Sequence, residues 1–171
     1  MDLNLSAPIT KNHVFEEVKN YLQENGFSIV NTDESRPWGG FFVIDEHQSQ
    51  KFVDFFFQNI GNPLGEKTQK ISPKILIVEP GKRLSWQYHH RRAELWKIIF
   101  GKVGVVISES DNETGVKSKT INDLIKLKQG ERHRLIGLET WGIVAEIWQH
   151  IDHLNPSDES DIVRLQDDFG R

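Results

Sequence analysis

The sequence from residue 81 to residue 101 reads GKRLSWQYHHRRAELWKIIFG. Two apolar stretches, 84–88 and 94–100, are separated by a short charged turn, a pattern that predicts two neighbouring strands. Side chains at positions i and i+2 of a strand point to the same face, so Gln87 and His89 are predicted to share a face. His90 is predicted to point the opposite way. Glu94 opens the second strand, which can return its carboxylate towards His89.

The same strand pattern continues through most of the chain, with turn signals between the apolar runs. One helix is predicted at 11–25, where apolar residues recur at helical spacing. The segment 59–68 is predicted to be a loop, and the acidic tail after Pro156 one or two helical turns at most. Many short strands with little helix predict an all-β fold, an antiparallel barrel or a double-sheet jelly roll. The predicted strands lie near 27–31, 38–45, 51–57, 73–79, 84–89, 94–100, 103–108, 117–121, 124–127, 133–138 and 142–150.

Composition narrows the class of protein. The 171 residues suffice for one domain with a substantial core. A net charge of −4 without a basic block argues against nucleic acid or an anionic membrane as the main partner. The chain has no cysteine, which excludes disulfides and thiolate metal sites. No signal peptide or membrane span is evident, so we expect a cytoplasmic protein.

Four residues form a candidate metal site. Gln87, His89 and Glu94 come from the strand pair above, and His133 follows Gly130 at the start of a later strand. One amide oxygen, two imidazoles and one carboxylate suit a borderline divalent ion, with zinc first and manganese, iron, cobalt or nickel as alternatives. A single histidine is more often incidental, so the prediction depends on the ordered combination.

Other residues are candidates for chemistry or ligand binding. Glu146 shares a strand face with apolar neighbours, which predicts either a buried acid with a raised pKa, suited to act as a base, or an exterior glutamate. His90 is the second candidate base. Lys74 shares a predicted strand face with apolar residues, which favours an inward side chain, and Arg132 flanks His133. Both are candidate cations for an anionic ligand.

Beyond the residues themselves, the chain resembles the cupin superfamily, and within it the cupin domain of type II mannose-6-phosphate isomerases. The resemblance covers about residues 36–171. The pieces that carry it are Arg36-Pro-Trp-Gly39, Leu84-Ser-Trp-Gln-Tyr-His-His90, Arg92-Ala-Glu94, Gly130-Glu-Arg-His133 and Asp161-Ile-Val-Arg164.

This resemblance implies a cupin jelly-roll barrel at 36–171. Residues 1–35 precede it as an addition to the family pattern, an N-terminal extension that contains the predicted helix. It implies a metal-dependent aldose–ketose isomerase acting on mannose 6-phosphate and fructose 6-phosphate through a metal-stabilised cis-enediol. Arg92 matches a family motif position and joins Lys74 and Arg132 as a candidate for binding the phosphorylated sugar. A homodimer is also implied.

Departures from the family pattern keep other functions open. The nucleotidyltransferase domain that usually precedes this cupin domain does not occur in the sequence, and Arg91 stands where the family usually has histidine. The main alternative is a non-catalytic cupin that binds a sugar or a nucleotide sugar. An iron or manganese dioxygenase is a third hypothesis, which the Gln87 ligand disfavours. A metal-free nucleotide-sugar epimerase would leave the predicted ligands without a purpose.

Overall fold

The computed structural model describes residues 9–58 and 70–170, which form two antiparallel sheets and two α-helices. The predicted loop at 59–68 lies outside these residues. The helices are α1 (Lys11–Glu24) and α2 (Ser49–Phe56). The strands are β1 (Ile29–Asp33), β2 (Gly39–Ile44), β3 (Ile71–Val78), β4 (Trp86–Tyr88), β5 (Arg92–Phe100), β6 (Lys102–Ser108), β7 (Lys117–Thr120), β8 (Leu124–Leu127), β9 (Arg132–Gly137), β10 (Gly142–His150) and β11 (Val163–Gln166).

The two sheets enclose the inner core. One sheet has the strand order β1-β2-β3-β10-β5-β8, and the other has the order β11-β4-β9-β6-β7. Leu76 and Ile98 from the first sheet join Val105 and Leu135 from the second in one buried apolar cluster. This arrangement confirms the predicted double-sheet, mostly β fold.

The central strands β3 and β10 of the six-stranded sheet are buried on both faces, which explains why they read as continuous apolar runs. On β3, Leu76 and Val78 belong to the inner core, whereas Ile75 and Ile77 pack in a second cluster with the helices. Because side chains alternate along a strand, Lys74 shares the inner face with Leu76. The same alternation places polar residues of β5 and β10 between the sheets.

The helices cover the outer face of this sheet. Helix α1 buries Val14, Phe15, Val18 and Leu22, which confirms the predicted helix at 11–25. The predicted strand at 51–57 is wrong, because these residues belong mostly to α2. Phe52, Val53 and Phe56 are buried there at the helical spacing i, i+1, i+4. Burial of each large apolar side chain contributes roughly 1.5–3 kcal/mol.

The N-terminal part joins the same sheet. Strand β1 pairs with β2, so residues 29–33 form an edge of the six-stranded sheet. The boundary between residues 35 and 36 stays a prediction. Gly39 begins β2 at φ 137°, and a Cβ there would lie 1.9 Å from the Ile77 carbonyl oxygen, so only glycine allows this close approach of the strands.

The C-terminal tail differs from the prediction of helical turns. Residues Val163–Gln166 form β11, which pairs with β4 and places Arg164 opposite Gln87. Residues 151–162, which we call the strap, connect β10 to β11. The prediction of helical turns was wrong because residues 157–171 have only a weak periodic pattern. The strand conformation of β11 depends on pairing with β4. No helix in the described ranges is long and apolar enough to cross a membrane.

Candidate metal centre and ligand pocket

Three predicted ligands meet between the sheets. The nearest ligand atoms of His89, Glu94 and His133 all lie within 4.8 Å of one another, and all three residues are buried. His89 follows β4, Glu94 lies on β5, and His133 lies on β9. Gly130, at φ 73°, makes the tight turn before β9, and its N–H donates to the His89 carbonyl, which fixes the approach of the two segments.

Backbone carbonyls orient both imidazole rings. His89 Nδ1 lies 2.8 Å from the Asp161 carbonyl oxygen, and His133 Nδ1 lies 2.9 Å from that of Glu131. A carbonyl only accepts, so each Nδ1 donates, and neutral rings then direct an unprotonated Nε2 at the cluster. Such outer hydrogen bonds are typical of metal-binding histidines. Burial lowers the pKa of His89, although the Glu94 carboxylate acts against this shift.

Glu94 supplies the negative charge of the cluster. Its Oε1 accepts a 2.7 Å hydrogen bond from Arg92 Nε. Burial alone would raise the pKa of Glu94, but the positive charge of His89 and His133 when protonated, together with that of Arg92, outweighs burial and holds this pKa well below its usual range. The carboxylate is therefore ionised at neutral pH.

Two buried atoms of the cluster suit a bound cation. Glu94 Oε2 and His133 Nε2 lie 3.4 Å apart, and neither has a hydrogen-bond partner within the part of the chain that the structure describes. Leaving such an atom unsatisfied typically costs about 1–3 kcal/mol. A divalent ion would satisfy both atoms, so these residues fit a metal with mixed nitrogen and oxygen ligands.

Gln87 is also buried and lines the pocket beside the cluster. Its Oε1 accepts a 2.6 Å hydrogen bond from the Ser85 hydroxyl, and its Nε2 lies 3.5 Å from His89 Nε2. A half-turn of the amide would exchange the two atoms and direct the oxygen at the cluster. The role of Gln87 as a ligand stays a prediction.

Glu146 lies inside the molecule, on the inner face of β10. Trp96 Nε1 donates a 2.9 Å hydrogen bond to its Oε1. Burial raises the pKa of Glu146 to about 8, and the Glu94 carboxylate adds to this shift while Lys74 and Arg92 oppose it. Glu146 is therefore mostly protonated near pH 7, and it lies in the pocket rather than on the exterior.

Two buried cations, Lys74 and Arg92, reach the same pocket. The Lys74 ammonium lies 3.4 Å from the centroid of a Trp148 ring, and the Arg92 guanidinium lies 3.6 Å from it. Arg92 also donates to His89 Nε2 at 3.1 Å. The pocket thus combines Gln87 and Glu94 of the candidate ligand set with two cations on an aromatic surface, and His89 and His133 complete the cluster beside it.

His90 and Arg132 lie away from this pocket. His90 is exposed, with its ring against Tyr88 at 5.2 Å, because it follows His89 and points to the other side. Arg132 pairs with Asp111 and stacks over Tyr88. Neither residue is among those that line the pocket.

The strap contributes contacts that sequence reasoning missed. Glu159 forms an ion pair with Lys74, Ser157 accepts a hydrogen bond from Arg92, and Asp161 holds His89 through its carbonyl. The acidic stretch 158–161 carried no local signal of these contacts, which join residues more than 60 positions apart in the chain. Glu159 also lines the cavity, whose volume is about 60 Å³.

Comparison with known proteins adds the family. A family model described as "Mannose-6-phosphate isomerase C-terminal" matches residues 62–167. The chain belongs to this family. Oxalate decarboxylase from Bacillus subtilis has a similar fold, with a TM-score of 0.58 and 15% identity over 81% of this chain and 31% of that chain. The capsular polysaccharide assembling protein CapF from Staphylococcus aureus has a TM-score of 0.53 at 12% identity, over 80% of this chain and 34% of that chain. These likenesses show the cupin fold.

Curated relatives have other names. A mannose-1-phosphate guanylyltransferase from Salmonella montevideo is 28% identical over 92% of this chain and 27% of its own length. The xanthan biosynthesis protein XanB from Xanthomonas campestris pv. campestris is 30% identical over 80% of this chain and 23% of its own length. The chain therefore spans about a quarter of the length of these relatives.

These names overturn the predicted activity. The relatives are named for guanylyl transfer or xanthan biosynthesis, not for interconverting mannose 6-phosphate and fructose 6-phosphate. The prediction of an aldose–ketose isomerase is therefore wrong. It followed from the motif resemblance, which identifies the family and the fold but does not fix the reaction.

Proposed function

We propose that this chain is a metal-binding cupin domain that binds a phosphorylated mannose derivative as a ligand. The observation that carries the proposal is the pocket in which Lys74 and Arg92 flank Trp148 beside the cluster of His89, Glu94 and His133. The proposed role is ligand binding. We do not propose guanylyl transfer for this chain, which spans about a quarter of the length of the relatives named for that reaction.

The charges in the pocket support an anionic ligand. Lys74 and Arg92 are only 5% and 2% exposed, and burying a cation is costly unless an anion accompanies it. The positive charge of Arg92 is paired with Glu94, whereas the positive charge of Lys74 is paired with Glu159 of the strap. A phosphate group is a suitable partner for such cations, because it accepts several charge-assisted hydrogen bonds.

The remaining walls support a sugar. Trp38, Trp96 and Trp148 line the pocket with Phe41, and aromatic faces pack against the apolar face of a sugar ring while hydroxyl groups need polar partners. We propose that His89, Glu94, His133 and Gln87 hold zinc. When bound, a divalent ion would supply positive charge to oxygen atoms of the ligand.

Mannose phosphate is preferred because of the relatives. The longer relatives from Salmonella are named for guanylyl transfer to mannose 1-phosphate. We therefore test mannose 1-phosphate first, and compare it with mannose 6-phosphate, a guanosine diphosphate sugar and neutral mannose.

The experiment is isothermal titration of the zinc-loaded chain with each of these compounds. We expect saturable binding of a mannose phosphate and at least about tenfold weaker binding of mannose, since the phosphate adds charge-assisted contacts. Lys74→Met removes one pocket cation and should weaken binding of the phosphate without changing binding of zinc. No binding of any phosphorylated sugar, or equal affinity for mannose, would contradict the proposal. Conversion of mannose 6-phosphate to fructose 6-phosphate would also contradict it.

A further inference from the structure

Lys74 is the buried charge that the metal cluster does not compensate directly. Its ammonium lies over Trp148 and also 4.9 Å from the Phe41 ring. Glu159 makes an ion pair with it, while Glu146 lies opposite Lys74 in the register of β10 and β3. Among the described residues, Glu159 is the carboxylate that forms an ion pair with Lys74.

The two residues of this ion pair differ in how deeply their side chains are buried. The side chain of Lys74 is 6% exposed, whereas that of Glu159 is 52% exposed. Lys74 lies on β3, an interior strand of the six-stranded sheet, and its side chain points into the space between the two sheets. Glu159 belongs to the strap, and Lys74 Nζ is the hydrogen-bond donor that the described residues provide for its carboxylate. Glu159 can therefore turn into water without breaking a second contact.

Neighbouring residues of the strap hold it independently of Glu159. The Asp161 carboxylate accepts hydrogen bonds from the backbone N–H groups of His90 and Arg91, and from the Ser157 hydroxyl. Ser157 N–H donates to His150 Nδ1. The strap is thus anchored on both sides of Glu159 by contacts that do not involve the Glu159 side chain.

The cavity beneath Glu159 is small. Its volume of about 60 Å³ is well below the roughly 300–1,000 Å³ of typical ligand-binding clefts. A phosphorylated sugar needs more room, and Glu159 is among the residues that line this space. Displacement of its side chain would enlarge the pocket and expose Lys74 at the same time.

We propose that Glu159 is an internal anion that occupies the phosphate subsite on Lys74 and is displaced by the phosphate of the ligand. The identity of the sugar rests on the proposed function, whereas the exchange of one anion for another does not. In this arrangement Glu159 competes with external anions and so lowers their affinity. It also pairs with the buried charge of Lys74 when no ligand is bound.

The test measures binding of inorganic phosphate and of mannose 1-phosphate by zinc-loaded wild type, Glu159→Gln and Lys74→Met. An apparent dissociation constant rises as the fraction of binding-competent protein falls, so freeing a subsite that is occupied nine-tenths of the time tightens binding by about tenfold. We expect Glu159→Gln to bind both anions about tenfold more tightly, and the same substitution to have no such effect in the Lys74→Met background.

Asp158→Asn is the matched control. It removes one negative charge from the adjacent position of the strap, where Asp158 pairs with Arg91 instead of Lys74. If this control tightens binding as much as Glu159→Gln, the effect is a general one of charge and the inference is overturned.

The outcomes separate the inference from the proposed function. Tighter binding of inorganic phosphate by Glu159→Gln, without binding of mannose 1-phosphate to any variant, supports the subsite and contradicts the proposed sugar ligand. Binding of mannose 1-phosphate that Glu159→Gln leaves unchanged or weakens overturns the inference and keeps the function. Absence of all anion binding contradicts both.

Discussion

Replacing His133 by phenylalanine should remove most of the stabilisation by zinc while keeping the stability of the metal-free protein within about 2 kcal/mol of the wild type. Phenylalanine keeps a ring against Trp96, whose centroid lies 5.4 Å from that of His133. The change loses the hydrogen bond to the Glu131 carbonyl, about 1 kcal/mol, and removes the unsatisfied Nε2, which costs about 1–3 kcal/mol when buried. These opposing effects leave a net change within about 2 kcal/mol in the metal-free state.

Zinc should stabilise the wild type much more than the His133→Phe variant. At a free zinc concentration of about 100 times the dissociation constant, binding stabilises the wild type by about 2.7 kcal/mol. For a chain of this size, that corresponds to a rise of about 5–11 °C in the unfolding temperature. If losing a ligand weakens binding about hundredfold, the variant gains only about 0.4 kcal/mol at the same zinc concentration, or about 1 °C.

The assay is thermal unfolding by circular dichroism, with chelator and then with buffered free zinc. His90→Phe is the matched control, because His90 is an exposed histidine outside the pocket, and it should keep the full zinc-dependent rise. An equal rise in wild type and His133→Phe would refute the assignment of His133 to the metal site. A wild type that zinc does not stabilise would refute that assignment as well.

Three other substitutions test the pocket and the fold. In chelator, the free energy of unfolding of the wild type should fall as pH rises from 5 to 8, by at most about 1.4 kcal/mol per pH unit from Glu146, because the folded protein keeps a proton that the unfolded chain has lost. Glu146→Gln should lack this component in urea unfolding at stepped pH; equal slopes would contradict the raised pKa. Arg92→Met should cost about 3–5 kcal/mol in chelator by leaving Glu94 buried without its partner, and less in zinc, whereas an equal loss in both conditions would count against a shared site. Gly39→Ala should cost more than about 1 kcal/mol in the same unfolding assay because its Cβ would meet a backbone carbonyl, whereas Gly115→Ala, with open space around it, should change little.

The alternation of side chains made much of the site predictable from the sequence. Strand parity placed Gln87 with His89 and set His90 apart, and the structure shows that arrangement. It also favoured an inward Lys74, and the structure buries that residue. These inferences needed only the period of a strand and the order of short apolar runs.

The errors arose where local pattern was weak or was read with the wrong period. The run Phe52, Val53, Phe56, Phe57 has helical spacing, but it also forms a short apolar run, the pattern from which the strand was predicted. Strand β11 depends on pairing with β4, and the contacts of Glu159 and Asp161 join parts of the chain that only the fold brings together. Sequence reasoning could therefore find the candidate ligand cluster but not the strap that covers it.

We propose that a metal ion and a phosphorylated mannose bind side by side, the ion at His89, Glu94 and His133 and the phosphate at Lys74. The most direct test is anomalous diffraction at the zinc edge from crystals soaked with zinc and mannose 1-phosphate. We expect a zinc peak about 2.0–2.1 Å from the Nε2 atoms of His89 and His133, with Glu94 as a further ligand and the phosphate at Lys74 in place of Glu159. A zinc peak only at surface histidines, or a sugar phosphate bound elsewhere with Glu159 still on Lys74, would contradict it.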